Sequence, residues 1–385
     1  MKIRDMETYL VGHPWKTWLF VRVLTDDGLH GIGEGSLGQL NRAVEGALRD
    51  LKPLIIGRSP FDIEDMVSRL CREVYADGAQ IKMSAISAVE IACWDLIGKY
   101  LGQPIYNLLG GRCHDRLRAY ANGWYRCERT PEAFAARARA VVGRGYTALK
   151  FDPFGIGWRS LTPWEEDLSV DIVRAVRDAV GLRVDVMIEA HSRFGVSSAI
   201  RIAHRLAEFK PAWLEEPVPH QNIQATIEVA KAVSIPIATG ESLSSKHAVA
   251  ELLRHGVIQI VQIEPFYLGG ILASRKVADM VDAHYGVIAP HAAAGPIGTA
   301  VCAQIDAGAP NFYIQEFFHD FNVDWEKDLV THPLECKDGY IEISDRPGLG
   351  MDLNLEEVRK HPYNETLDMN LFQEDWHLRK QETAE

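Results

Sequence analysis

The sequence predicts an α/β protein built on a parallel βα barrel, with a smaller α+β region ahead of it. From Leu117 onward, short apolar runs alternate with helical stretches, eight times over. Each apolar run ends on a polar residue. The first 112 residues lack this rhythm and read as strands followed by helices.

In the opening region Thr17–Leu24 is rich in β-formers, and Asp26-Asp27-Gly28 is a strong turn signal. The next short strand runs into Gly31-Ile-Gly-Glu-Gly35. From about Asn41 the pattern turns helical, with Val44, Leu48 and Leu51 at spacings of four and three. Ser84–Leu101 is a second helix, stopped by Gly102-Gln103-Pro104, and Gly110-Gly111 marks a boundary. The eight barrel strands are Leu117–Ala121, Ala148–Phe151, Val184–Ile188, Ala212–Leu214, Ile235–Ala238, Ile258–Ile263, Val287–Ala289 and Phe312–Ile314. Repeated βα units imply a parallel sheet with right-handed crossovers, and eight of them fit a (β/α)₈-type barrel. A doubly wound sheet would need a glycine-rich first turn, and none follows the first strand. The long gap after Lys150 holds an insertion, Gly155–Pro163. After Asp320 the rhythm stops. Gly339–Ile343 and Arg346–Gly350 resemble strand, turn and strand, in a tail expected to pack on the first domain. The polar segment from Gln373 is expected to fray.

The chain has 385 residues and a net charge of −12. At this length about two domains are expected. The charge gives no general attraction for nucleic acid or an anionic membrane. No apolar run reaches the roughly 18 residues of a membrane span, and the N-terminus does not read as a signal peptide. Six cysteines are scattered without a CxxC pair. They read as reduced packing residues, so a cytoplasmic location is expected.

The residues at the strand ends carry the chemistry: Asn122, Lys150, Glu189, Glu215, Glu241, Glu264, His291 and Glu316. A parallel barrel gathers these ends at one mouth. Glu189, Glu215 and Glu241 would repel one another unless a cation sat between them. Hard oxygen donors without cysteine point to Mg²⁺, with Mn²⁺ as the alternative. Solvated or ion-paired loop acids are the bland alternative. Glu215 and Glu216 are adjacent, so only one faces the mouth. Lys150 and His291 could each take a proton from a substrate held between them, and a metal beside Lys150 would push its pKa down, as a base requires. Glu264 could orient His291. His191, two residues after Glu189, could be a general acid or a structural histidine. Glu316, if protonated, could hydrogen-bond an oxyanion. Asp152 could tune Lys150 or bind substrate, and Arg193 could ion-pair with a substrate carboxylate or with a loop acid. Trp18 and Trp124 are candidate substrate contacts, although such aromatics are more often core. The loops around His13–Trp18 and Trp124–Arg126 are the expected readers of substrate stereochemistry.

Taken together, Lys150, Glu189, Glu215-Glu216-Pro217, Gly240-Glu241 and His291 resemble the mandelate-racemase-like branch of the enolase superfamily. So do Met83–Gly111, with its Trp94-Asp95 pair, and the Pro347-Gly-Leu-Gly350 tail. The resemblance implies a modified (β/α)₇β barrel, here 113–320. Over it sits a capping domain made by both chain ends, 1–112 with 321–385. Glu189-Ala-His191-Ser-Arg193 and Ala148-Leu-Lys-Phe-Asp-Pro-Phe-Gly155 look closest to galactonate and gluconate dehydratases. That implies Glu189, Glu215 and Glu241 as ligands of one Mg²⁺ per subunit. It implies a sugar-acid substrate that loses water to give a 2-keto-3-deoxy acid, with cycloisomerisation or epimerisation as the alternative. A homo-oligomer, dimer or octamer, is implied as well. Two residues depart from the family pattern: Asp152 stands where racemases of the branch have a second lysine, and Glu264 where an Asp is usual.

Overall fold

The computed structural model of the chain describes residues 1–364 and 370–378. The chain opens with three antiparallel strands, β1 (Ile3–Val11), β2 (Trp18–Thr25) and β3 (His30–Glu34). The expected turn joins the last two, with Gly28 at φ +90°. Three helices follow: α1 (Asn41–Ile55), α2 (Ile63–Glu73) and α3 (Ala79–Leu101). The glycines of β3 have a steric cause. A Cβ on Gly31, Gly33 or Gly35 would meet the backbone oxygens of Ala92, Ala88 and Ser84 at 2.0, 2.2 and 2.7 Å. Two strand residues advance about 6.6 Å and four helix residues about 6 Å. Every second residue of β3 therefore lies against every fourth of α3, backbone on backbone.

After a short helix α4 (Ile105–Leu108), the barrel strands are β4 (Arg116–Ala121), β5 (Ala148–Phe151), β6 (Asp185–Glu189), β7 (Trp213–Glu215), β8 (Ile237–Thr239), β9 (Ile260–Val261), β10 (Val287–Ile288) and β11 (Gln315–Phe317). They pair in parallel in chain order, and β11 returns to β4. Tyr313 N–H donates to Ile288 O at 2.9 Å, so the segment before β11 closes the ring against β10. The crossovers carry α5 (Pro131–Gly143), α6 (Pro163–Val180), α7 (Val196–Leu206), α8 (Ile223–Ala232), α9 (Lys246–Leu253), α10 (Pro265–Leu268) with α11 (Ile271–Asp282), and α12 (Pro296–Gly308). No α-helix follows β11 directly, which makes the barrel (β/α)₇β. The eighth strand lies three residues later than expected. Ile314 fills the barrel interior, and the ladder itself uses Gln315 and Glu316, whose polarity hid them.

The tail serves both parts. β12 (Cys336–Lys337) and β13 (Tyr340–Glu342) form a hairpin on the barrel strand β4, not on the first domain. Residues 346–350 form a turn and not a second strand. Leu349 N–H donates to Asp95 of α3 at 2.8 Å, and Pro362 bridges to Val11 beyond α13 (Leu355–Lys360). The expected fraying from Gln373 is not observed through Leu378: Trp376 and His377 are buried. The remainder of that segment lies outside the described residues. No helix among the described residues is long and apolar enough to cross a membrane.

Two carboxylates of the opening region fasten it to the barrel. Glu34, ending β3, accepts N–H donors from Gly295 and Gly298 at the start of α12, both at 2.8 Å. Glu90 of α3 accepts from Ile271 and Leu272 at the start of α11, at 2.8 and 2.9 Å. A helix N-terminus presents unpaired N–H groups and a positive dipole end, so both contacts are favourable when buried. Helices of a parallel barrel begin at the mouth, which brings the His13–Trp18 loop over it. Glu34→Ala should cost about 1–3 kcal/mol, the penalty of leaving buried donors unpaired. A lowered Tm and faster hydrogen exchange at Gly295 and Gly298 would show it; unchanged exchange there would contradict the account.

Candidate active site

Side chains alternate along a strand. One ring of inward residues, Tyr120, Ala148, Met187, Trp213, Ala238, Ile260, Ala289 and Ile314, forms a buried apolar layer across the barrel. Two residues further on, the same strands bring Asn122, Lys150, Glu189, Glu215, Gln262, His291 and Glu316 inward at the mouth. On β8 the corresponding position is Gly240, at φ +129°, where a Cβ would crowd the Gln262 backbone oxygen at 3.1 Å. This glycine turn passes the inward position on to Glu241.

Glu189, Glu215 and Glu241 each offer an oxygen, all within 4.8 Å of one another. Glu241 Oε2 is buried without a hydrogen-bond partner. Burial and the Glu215 charge push the Glu189 carboxyl well above its ordinary range, and burial pushes Glu241 up to about 8. Carboxylates crowded out of water in this way fit a hard divalent cation, and these three could hold one. Glu216 turns away at φ 39°. It accepts from the Thr239 hydroxyl at 2.6 Å and Gly240 N–H at 2.9 Å, and so holds the glycine turn.

Lys150 Nζ sits among carboxylates. It contacts Glu215 Oε1, Glu316 Oε1 at 2.9 Å and Glu189 Oε2 at 3.5 Å. Burial alone would strip its proton, but the Glu215 and Glu316 charges hold it well above an ordinary lysine. The Glu215 and Glu189 charges that raise it are ones a bound cation would offset. Glu316 is not kept protonated. Burial raises its pKa, yet Lys150 and His291 bring it below the usual range. Its oxygens accept from Asn122 Nδ2 and from Ala292 N–H, each at 2.8 Å.

Two histidines are each held by a carboxylate at Nδ1. His291 meets Glu264 Oε2 at 2.6 Å, so the longer acid does reach it. Burial pulls His291 down, but the Glu241 charge and the Glu264 hydrogen bond push it up to about 9. His191 meets Asp152 Oδ2 at 2.6 Å. Here burial wins and lowers the imidazole pKa. His191 does not arrive on an extended strand: it and Ser192 adopt φ 46° and 56°. These strained positions are held by Ser192 N–H donating to Glu216 O at 2.7 Å. Strands β6 and β10 are four apart in a ring of eight, so the two histidines face each other across the mouth.

The cavity between them, about 180 Å³, is also walled by Asn122, Tyr125, Phe318 and Trp376. Four candidate substrate residues stand behind that wall. Asp152 and Arg193 are bound to each other. Arg193 also donates to Ala190 O and Gly155 O, and it is fully buried. Trp124 Nε1 donates to Lys150 O at 2.8 Å, and Trp18 is core. Lys16, Leu371 and Trp376 line the cavity although the sequence did not single them out. A lysine between two tryptophans, and one tryptophan in a polar tail, were the available signals.

Residues 11–110 match the "Mandelate racemase / muconate lactonizing enzyme, N-terminal domain" family, and 133–358 match "Enolase C-terminal domain-like". The chain is 34% identical over 382 residues to a D-gluconate/D-galactonate dehydratase of Picrophilus torridus, covering 97% of each. It is 36% identical over 370 residues to a D-xylonate dehydratase of Haloferax volcanii, covering 94% of this chain and 89% of the relative. The crystal structure of a mandelate racemase/muconate lactonizing enzyme from Sulfitobacter sp. superposes with a TM-score of 0.90 at 32% identity, covering 94% and 96%.

The geometry separates Glu215 from its neighbour. Glu189→Gln, Glu215→Gln and Glu241→Gln should each weaken Mg²⁺ binding at least tenfold by calorimetry, since each removes an anionic donor. Glu216→Gln should bind Mg²⁺ with higher affinity than any of these three. The opposite order would make Glu216 the ligand.

Proposed function

The chain belongs to the mandelate racemase/muconate lactonizing enzyme family of the enolase superfamily, and on that premise we propose that it is an Mg²⁺-dependent sugar-acid dehydratase. The observation that carries this is the opposed pair of carboxylate-held histidines flanking the three-glutamate cluster. The dehydratase names of the relatives, for gluconate, galactonate and xylonate, point the same way.

Mg²⁺ held by Glu189, Glu215 and Glu241 would supply charge stabilisation for the carboxylate of a bound substrate. A cation on Glu241 would offset the charge that raises His291; His291 Nε2, then neutral, takes the proton from the carbon next to that carboxylate, while Glu264 fixes the ring and stabilises the cation formed. Lys150 keeps its proton, and with Asn122 it holds Glu316 in place beside the developing enediolate. His191, opposite, must enter this step protonated, a cation that Asp152 at Nδ1 stabilises against burial; its Nε2 then gives a proton to the departing 3-hydroxyl, which leaves as water. The resulting enol tautomerises to a 2-keto-3-deoxy acid. A second reading draws on the His191–Asp152 pair: a proton returned from that side to the same carbon would epimerise the substrate without loss of water.

The test is a panel of aldonic and aldaric acids with Mg²⁺ in D₂O, followed by NMR. His191→Asn should still exchange the α-proton but lose about 10²–10⁴ in dehydration, the usual worth of general-acid help. His291→Asn should lose both. Normal dehydration by His191→Asn would remove it from the mechanism, and an epimer as sole product would favour the second reading.

A further inference from the structure

A second cavity, about 540 Å³, opens at the seam between the opening domain and the barrel. It shares no lining residue with the active-site cavity. One wall comes from α2 and α3, through Val67 and Met83. The other comes from the segment entering α9, the end of α10 and the start of α11. The floor is apolar, with Met83, Leu268 and Leu272. Gly269, at φ +110°, leaves room between α3 and α10, since a Cβ there would meet Met83 Cε at 3.2 Å. The rim is basic, with Arg72, Lys246, His247 and Lys276. In a chain of net charge −12 this is a local reversal of sign. Of the acids at the cavity, Glu64 is taken by Lys276 at 2.5 Å, and Glu90 by the N–H groups at the start of α11. Lys246 and His247 make no ion pair among the described residues.

Small-molecule sites of this size favour domain interfaces and join a mostly apolar lining to a few polar groups that fix orientation. Here those polar groups are cations. An apolar body with one anionic end matches both parts of the lining. A sugar acid does not, because its hydroxyls would be buried against Met83, Leu268 and Leu272 without partners. We propose that the seam is a binding site for a small aliphatic carboxylate, its chain over that floor and its charge at Lys246 and His247. The walls continue two segments of the active site. Ser244 lines the cavity three residues beyond Glu241, and Leu268 lines it four residues beyond Glu264, the partner of His291. A ligand there touches the opening domain and both segments at once, so it favours their docked arrangement and stabilises the folded chain by mass action.

The test is calorimetric titration of the Mg²⁺-loaded protein with straight-chain carboxylates from butanoate to decanoate, the alcohols of equal length serving as uncharged controls. Each added methylene should tighten binding about two- to fourfold until the cavity is full. Lys246→Glu should weaken every carboxylate about three- to tenfold, since it turns an exposed attraction into a repulsion, and leave the alcohols unchanged. Ala273→Phe fills the cavity from α11 and should abolish binding while Mg²⁺ affinity is kept. Val67→Phe fills it from the opposite wall and serves if the first variant does not fold. Tm should rise with carboxylate concentration in the unaltered protein and not in the filled variants. No binding, alcohols bound as well as the acids, or undiminished binding by the filled variants would overturn the proposal. Displacement of the carboxylate by a sugar acid of the panel would overturn it too, by placing the ligand in the active site. A dimer in sedimentation that binds no carboxylate and dissociates in both filled variants would give the seam to a second copy of the chain instead. None of these readouts uses turnover, so the outcome stands apart from the dehydratase reading.

Discussion

The structure is organised around an excess of buried negative charge. Glu189, Glu215, Glu241, Glu264 and Glu316 converge on the barrel mouth, with Lys150 as the ammonium buried among them. Two like charges 4 Å apart repel by about 4 kcal/mol even at an effective dielectric of 20. Lys150 alone cannot balance five acids, and Lys16 and His291 are further basic groups at the cavity. Much of the local architecture relieves this. Glu264 faces an imidazole and a helix N-terminus, where it accepts Phe266 N–H at 3.0 Å. Glu316 takes a lysine, an amide and a backbone N–H. What remains uncompensated is concentrated on the three glutamates that could hold a cation.

Much of this was legible because a barrel turns sequence periodicity into position. Lys150, Glu189, Glu215 and Glu316 lie two residues beyond a layer of apolar side chains, so polarity after an apolar run marked the mouth. The rule fails where the backbone leaves the strand. Glu241 is one residue out of step and reaches the mouth only through Gly240. His191 gets there through two left-handed residues, a route that an extended-strand argument does not describe. The eighth strand was misplaced because its ladder residues, Gln315 and Glu316, are polar for the sake of the site.

What the sequence hid is long-range. Nothing near Trp376 says that it packs edge-on to His191, with centroids 5.5 Å apart, across 185 positions of chain. Nothing near Arg193 says that its guanidinium is spent on Asp152 and two carbonyls. Pairing a residue type with a chemical role tells which atoms could react. Only the packed chain tells which of them are already engaged. The loop lysine and the tail tryptophan were passed over for that reason, and of the two partners open to Arg193 the packed chain supplies the acid, Asp152.

The knot of contacts at Asp95 sets the order in which the protein can be completed. This fully buried carboxylate accepts N–H from Ile32, 63 residues before it, and from Leu349, 254 residues after it. A ribosome adding roughly 5–20 residues per second takes about 13–50 s to cover the second distance. During that interval the opening domain lacks the Leu349 backbone donor to Asp95, one of its fully buried acids. Lys99, at 2.6 Å, is then the carboxylate's local partner. The buried acid of the opening domain thus takes its last backbone donor from a segment made long after it.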